Sequence, residues 1–188
     1  MKETKKYKGD VITIPNILSV FRFGLIPLFM WLYLDKGAYG ATAAILVLSG
    51  LTDVADGFIA RKFNMVSDLG KAIDPIADKL TQLAMLFCLL STFPHMAIPL
   101  ILLFIKEFAT GISKIAAIRS TGEVTGARWH GKVNTVLLYG MLFTHVVWHS
   151  IPPLVSDCFI GVCTASMILS FVLYLVSNIK AVSKKKPE

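Results

Sequence analysis

The chain has 188 residues, of which 55% are hydrophobic and only 16% are charged, and its formal net charge is +7. Soluble domains have about a quarter of their residues charged, and here the apolar residues are gathered in blocks of about 20, the length of a membrane span. The composition therefore excludes a soluble protein and indicates one integral membrane domain over residues 1–188. We expect the basic charge to set the membrane topology and to contact anionic lipid head groups, and we expect no nucleic-acid binding.

Six apolar segments predict an all-α integral membrane fold, a bundle of six transmembrane helices. In chain order they cover residues 15–34, 40–60, 72–92, 95–118, 132–149 and 153–180. The connections are short, which favours antiparallel packing of consecutive helices. Residues 1–13 are expected to form a cytoplasmic lead, and residues 181–188 a basic tail.

The distribution of basic residues predicts the orientation of this bundle. If the N terminus is inside, 15 of the 19 Lys and Arg residues lie in the inner loops and the two tails, whereas the outer loops contain only Lys36. Cytoplasmic loops of membrane proteins are enriched in Lys and Arg, so both termini are predicted to be cytoplasmic. We therefore expect a multi-pass protein of the cell membrane.

Four aspartates stand at the cytoplasmic ends of the second and third predicted helices. Asp53 and Asp56 are three residues apart, and this spacing places them on one helix face. Asp74 and Asp78 are four residues apart and share a face in the same way. Carboxylates near the hydrocarbon are costly unless a cation neutralises them, so we expect the two pairs to converge on two ions of Mg²⁺ or Mn²⁺, which prefer oxygen ligands. The stretch contains no His or Cys, which argues against zinc.

Small residues and one cation stand beside these aspartates. Gly57 and Gly70 leave the backbone open to close approach by a flat or phosphorylated ligand. Ala60 continues the small face, and Arg61 is a cation suited to phosphate. Beside a divalent metal at a membrane surface, this arrangement predicts a diphosphate site.

Two other kinds of protein would also place carboxylates in a membrane. Transporters use them in proton and cation pathways, but they spread them through the membrane midplane and contain broken helices in repeated halves. An inactive membrane scaffold is expected to have lost some of the four aspartates. The clustering toward one side of the membrane favours an enzyme, with a cation or proton transporter as the non-enzyme alternative.

The aspartates belong to a longer pattern of fixed spacing. The stretch 53–78, which reads DVADGFIARKFNMVSDLGKAIDPIAD, resembles the signature of the CDP-alcohol phosphatidyltransferases, D-x2-D-G-x2-A-R-x8-G-x3-D-x3-D, at all eight fixed positions. Residues 14–22, IPNILSVFR, resemble the start of that family's first helix. The resemblance implies transfer of a phosphatidyl group from CDP-diacylglycerol to an alcohol with release of CMP, by direct attack at a two-metal site in a homodimer.

The resemblance also implies a role for each motif residue. The metal ligands would be Asp53, Asp56, Asp74 and Asp78. Asp78 would in addition accept the proton of the attacking hydroxyl as a general base. The residues expected to bind the CDP-lipid are Gly57, Ala60, Arg61, Gly70 and Arg22. Arg22, in the first predicted helix, is equally suited to anchoring lipid head groups.

The acceptor alcohol is expected to bind a cationic part of the chain around the third inner loop. Its basic residues are Lys106, Arg119, Arg128 and Lys132. Their charge suits a phosphate-bearing acceptor such as sn-glycerol 3-phosphate, although the same charges are also those expected from topology alone.

Within the family, the chain is most similar in general to the bacterial phosphatidylglycerophosphate synthases. It departs from them at residues 106–108, which read KEF where those enzymes usually have REF. It also departs at residues 131–135, which read GKVNT where they have GKxKT. The second stretch is similar to the cardiolipin synthases, which use phosphatidylglycerol. We therefore expect glycerol 3-phosphate as the acceptor, with phosphatidylglycerol as the alternative.

Overall fold

The computed structural model describes residues 13–62, 70–121 and 129–183, and in these ranges the chain forms six α-helices and no strand. The helices are α1 (Ile14–Leu34), α2 (Tyr39–Lys62), α3 (Gly70–Leu90), α4 (Ala97–Thr121), α5 (Trp129–Val147) and α6 (Pro153–Ser183), and a 3₁₀ turn at Pro94–Met96 precedes α4. The predicted all-α fold is confirmed, and each helix end lies within three residues of its expected position. The chain divides into two compact units, one that ends at Cys88 and one that begins at Leu89, and the single domain over 1–188 stays a prediction.

Three helices in the described ranges are long and apolar enough to cross a membrane. The qualifying segments are Asn16–Leu34, Pro94–Ile112 and Pro153–Val176. α2 and α3 have 24 and 21 residues, which is long enough, but they contain the motif aspartates and several basic residues, and these lower the hydropathy. A membrane protein with several apolar helices is therefore supported, whereas six crossings stay a prediction.

Large apolar side chains remain exposed on the outer faces of the helices. Val54 is 68% exposed, Phe108 66%, Val136 71% and Leu154 77%. Exposed apolar surface on this scale is unusual in a soluble monomer, whereas lipid tails would cover it in a membrane.

The start of α1 is determined by its first residues. The Thr13 side chain accepts a hydrogen bond from the backbone N–H of Asn16 at 3.4 Å. Pro15 follows in the first turn, where its missing N–H has no helical partner to lose. Ser19 and Arg22 then lie one turn apart on the same face of α1.

In the first unit, α1 packs along α2. Leu25, Phe29 and Tyr33 of α1 are buried, and the rings of Tyr33 and Tyr39 meet edge to face with centroids 5.2 Å apart. The chain reverses between the helices at Gly37, whose φ of +58° lies in the region that favours glycine. Because the two helices run antiparallel, the start of α1 lies beside the end of α2, where the first aspartate pair stands.

In the second unit, α6 packs against α4 and α5. Leu103 and Leu142 are fully buried, and so is the ring of His145, whose Nδ1 lies 2.8 Å from the Met141 carbonyl and whose Nε2 lies 3.0 Å from Ser156 Oγ. A carbonyl only accepts, so the neutral imidazole donates from Nδ1 and Ser156 donates to Nε2. This contact joins α5 to α6 inside an apolar core.

Candidate active site

The first unit brings the start of α1 against the carboxylates of α2. Arg22 Nη1 lies 2.8 Å from Asp53 Oδ1, and Arg22 Nη2 lies 2.6 Å from Asp56 Oδ2. The side chains of Arg22 and Asp56 are 2% and 4% exposed, whereas that of Asp53 is 53% exposed. Arg22 is therefore a buried cation that bridges both members of the first aspartate pair, a contact that neither of its expected roles included. Removing Arg22 alone would leave the buried Asp56 carboxylate without its cation, which costs about 3–5 kcal/mol.

The second aspartate pair is held by neutral polar side chains. Ser19, which is fully buried, donates from Oγ to Asp74 Oδ1. Gln82, also fully buried, donates from Nε2 to Asp78 Oδ2 at 3.1 Å. Lys79 Nζ lies 3.5 Å from Gln82 Oε1 and 3.9 Å from Asp78 Oδ2. Because the ammonium only donates, it keeps the amide oxygen of Gln82 toward itself and the amide nitrogen toward the carboxylate.

The two aspartate pairs of the motif lie in one electrostatic environment. Asp53 is close enough to Asp74 and Asp78 for their charges to act on it. Ser19 and Arg22, one turn apart on α1, each contact one of the two pairs. One face of α1 thus contacts three of the four predicted metal ligands, Asp53, Asp56 and Asp74, and the charge of Asp78 reaches Asp53.

The four aspartates can be compared with a divalent-cation site in two respects, the chemistry of their side chains and the spacing between them. All four side chains offer oxygen, and their four negative charges exceed those of the cations Arg22 and Lys79, so the set suits Mg²⁺ or Mn²⁺. In the ranges that the structure describes, however, no group of three or more His, Cys, Asp or Glu side chains is spaced to hold a metal ion. The guanidinium of Arg22 lies between Asp53 and Asp56 instead. The residues fit the ion by their chemistry, and the metal site stays a prediction.

The remaining motif residues are described less fully. Gly70 is buried at the first position of α3. Gly57, Ala60 and Arg61 lie on the last turns of α2, but their surroundings lie outside the described side chains. Their contact with the CDP-lipid stays a prediction.

The basic residues expected to bind the acceptor belong to the second unit. Lys106 is 13% exposed, and its Nζ lies 3.8 Å from Glu107 Oε1. Lys132 is exposed near the start of α5. Arg119 lies on α4, but its side chain is outside the described ones, and Arg128 lies outside the described residues altogether. Their role also stays a prediction.

Sequence reasoning missed Ser19 and Gln82 as partners of the motif aspartates. A signal for both was present, because each is a polar residue inside a predicted membrane-spanning helix. Ser19 is three residues before Arg22, and Gln82 is four residues after Asp78, so each shares a helix face with a residue that was identified.

A family model and the relatives of known name place this chain in the same protein family. The model of the CDP-alcohol phosphatidyltransferase family matches residues 12–179. The CDP-diacylglycerol–glycerol-3-phosphate 3-phosphatidyltransferase of Bacillus subtilis is 36% identical over 140 residues, which cover 66% of this chain and 72% of that protein. A protein of the same name from Rickettsia bellii is 36% identical over 108 residues, which cover 56% of this chain and 60% of that protein.

A relative with a different name is also similar. The cardiolipin synthase (CMP-forming) of Streptomyces coelicolor is 42% identical over 91 residues, which cover 46% of this chain but only 42% of that protein. The family match, by contrast, spans nearly the whole chain and includes both aspartate pairs. The chain therefore belongs to the CDP-alcohol phosphatidyltransferase family.

Proposed function

We propose that this protein transfers the phosphatidyl group of CDP-diacylglycerol to sn-glycerol 3-phosphate, giving phosphatidylglycerophosphate and CMP. The observation that carries the proposal is the complete aspartate motif of the family, in which Arg22 pairs with Asp53 and Asp56, Ser19 bonds to Asp74, and the charges of Asp74 and Asp78 reach Asp53. The names of the Bacillus and Rickettsia relatives support glycerol 3-phosphate as the acceptor.

The aspartates would hold two divalent cations, Mg²⁺ or Mn²⁺. The ligands would be Asp53, Asp56, Asp74 and Asp78. These cations would supply positive charge that polarises the phosphorus under attack and offsets the charge of the departing CMP. The CDP-lipid itself would contact Gly57, Ala60, Arg61, Gly70 and Arg22.

The proposed reaction is one direct displacement. Asp78 accepts the proton of the acceptor hydroxyl while the hydroxyl oxygen bonds to the phosphorus that bears diacylglycerol. The bond from that phosphorus to the oxygen of the CMP phosphate breaks, and its electron pair leaves with CMP. The Asp78 side chain is 25% exposed, so a hydroxyl can reach it, and Gln82 holds one of its oxygens in place.

The basic residues Lys106, Arg119, Arg128 and Lys132 would bind the phosphate of the acceptor. This assignment is supported by their charge, which suits a doubly charged phosphate. Glycerol 3-phosphate is a soluble anion, so an enzyme that uses it needs its site on an aqueous face of the membrane.

The proposal includes six membrane crossings with both termini and the active site on the cytoplasmic side. It is supported by the six helices and by the bias of Lys and Arg toward one set of loops. The resemblance to the family further implies a homodimer in the cell membrane.

A second candidate acceptor is phosphatidylglycerol, which would make the protein a cardiolipin synthase. The Streptomyces relative carries that name, and residues 131–135 are similar to that branch. Membership of a family of transferases argues against the transporter alternative.

The test is to identify the lipid product. Purified protein in vesicles receives radiolabelled CDP-diacylglycerol with Mg²⁺ and either glycerol 3-phosphate or phosphatidylglycerol. We expect labelled phosphatidylglycerophosphate with glycerol 3-phosphate and no product with phosphatidylglycerol. Cardiolipin formation would support the second candidate instead. Ion flux in the same vesicles without any lipid product would overturn the proposal in favour of a transporter.

A further inference from the structure

We infer that Arg22 is the internal counter-cation of the first aspartate pair. It holds Asp53 and Asp56 together when no divalent cation is bound, and it competes with a divalent cation for both carboxylates. The inference rests on the proposed function, in which these aspartates bind metal. It gives Arg22 a part in metal affinity that is separate from any contact with the CDP-lipid.

The geometry of the bridge supports this competition. An arginine usually presents two N–H groups to one carboxylate, but Arg22 presents Nη1 to Asp53 at 2.8 Å and Nη2 to Asp56 at 2.6 Å. A cation shared by the two carboxylates would need the same space. Even where it used other lone pairs of the same oxygens, it would face the repulsion of a positive charge held against its ligands.

The burial of the pair explains why a counter-cation is present. Asp56 is 4% exposed, and a buried carboxylate without a partner is strongly destabilising. Arg22, at 2% exposure, neutralises it from the neighbouring helix. Arg22 can therefore neutralise Asp56 without a metal ion, but when a divalent cation binds the first pair, the two carboxylates, the cation and Arg22 together have one positive charge in excess.

The guanidinium makes one hydrogen bond, from Nη2 to Asp56 Oδ2 at 2.6 Å, and an ion pair through Nη1 with Asp53 Oδ1 at 2.8 Å. Within the part of the chain that the structure describes, its buried Nε and Nη1 atoms have no hydrogen-bond partner, although Nη1 is close to Asp53. Moving Arg22 away from the pair would forfeit the hydrogen bond to Asp56 and the ion pair with Asp53, and a divalent cation would take its place as the partner of both carboxylates. The unused N–H groups of Arg22 suit an anionic ligand. Binding of such a ligand and binding of the divalent cation are linked, so each would raise the affinity of the protein for the other by the same factor.

The experiment measures Mn²⁺ binding to the purified full chain in detergent without substrate, from the electron paramagnetic resonance signal of free Mn²⁺. Removing the competing charge in Arg22→Gln is expected to tighten Mn²⁺ binding on the order of tenfold. Lys79→Gln is the matched control, because it removes the same charge beside Asp78 without touching the first pair. We expect at most about a threefold tightening there, because Lys79 Nζ lies 3.9 Å from one oxygen of Asp78 and does not lie between two carboxylates.

Two further measurements keep the result interpretable if Arg22→Gln is unstable. Arg22→Lys retains the charge and is expected to bind Mn²⁺ within about threefold of the wild type. The melting temperature of Arg22→Gln should fall in EDTA and rise on adding Mn²⁺ by more than that of the wild type.

The outcomes separate this inference from the proposed function. If the wild type binds Mn²⁺ and Arg22→Gln binds no more tightly than Lys79→Gln, the inference is overturned and the metal site stands. If the wild type binds no Mn²⁺ at all, the metal part of the proposed function is overturned as well.

Discussion

Asp78 differs from Asp53 and Asp56 in the kind of partner it has. Arg22 forms ion pairs with both members of the first pair at 2.8 and 2.6 Å, whereas Asp78 accepts a hydrogen bond from the Gln82 amide and has its cation, Lys79, at 3.9 Å. A carboxylate oxygen that is paired closely with a guanidinium is a weaker proton acceptor for a substrate hydroxyl. The contacts of the individual aspartates therefore favour Asp78 as the group that receives the proton in the proposed reaction.

Replacing Asp78 by Asn should abolish most of the activity while the protein still folds. The amide cannot accept the proton, and loss of a general base lowers kcat by about 10²–10⁴-fold. The measurement is the kcat of CMP release, with the melting temperature recorded alongside. The control is Asp35→Asn, which makes the same change at an exposed residue just after α1. Equal kcat values for the two variants would contradict the role of Asp78.

Replacing Gln82 by Leu should lower kcat by roughly tenfold or more with little change in KM, because a hydrogen bond to a charged group contributes about 1.5–3 kcal/mol. Gln82 acts through Asp78 and is a positioning residue. Thr81→Val is the control, since the Thr81 hydroxyl donates to the Ala77 carbonyl of its own helix at 2.8 Å. If both variants lose kcat equally, the effect belongs to the packing of α3 and the positioning role is wrong.

At the scale of elements, the sequence was sufficient to predict the helices but not the contacts between them. Apolar blocks predicted all six helices because each block is as long as a membrane span. The Arg22 bridge and the Ser19 contact with Asp74 were not predicted, since they depend on how α1 is aligned with helices that are 34 and 55 residues away along the chain. Helical spacing places residues on one face, but it does not say which face of another helix they meet.

The contact between α5 and α6 gives an element-scale prediction about stability. In Ser156→Ala, the buried Nε2 of His145 loses its donor, and an unsatisfied buried acceptor costs about 1–3 kcal/mol. The free energy of unfolding in detergent should fall by that amount, with activity per folded molecule unchanged.

Thr144→Ala is the control for this change, because the Thr144 hydroxyl bonds to the Gly140 carbonyl of its own helix at an exposed position. A loss of stability in Thr144→Ala as large as that in Ser156→Ala would show that the link between α5 and α6 contributes nothing.

At the scale of the whole molecule, the sequence motif predicted most residues of the candidate site. The eight fixed positions identified the four aspartates, because carboxylates are conspicuous where only 16% of residues are charged. The acceptor was not determined in the same way. Arg119, Arg128 and Lys132 lie in or beside the predicted third inner loop, where topology alone also places positive charge, so their presence does not distinguish a phosphate site from an orientation signal.

The proposed orientation predicts the labelling of single cysteines in a cysteine-free background. Ser150→Cys, in the exposed connection between α5 and α6, should react with a membrane-impermeant maleimide on intact cells. Lys62→Cys, at the exposed end of α2, is the counterpart and should react only after permeabilisation. The reverse pattern would mean that the termini and the aspartates face outward.

The most direct test of phosphatidyl transfer follows CMP. Purified protein is given CDP-diacylglycerol with Mg²⁺, with or without glycerol 3-phosphate, and CMP is measured together with the exchange of labelled CMP into the lipid. For direct attack by the acceptor, we expect CMP release only when the acceptor and the divalent cation are both present, and no exchange without acceptor. Absence of CMP under all conditions, or exchange of CMP without any acceptor, would contradict the proposed reaction.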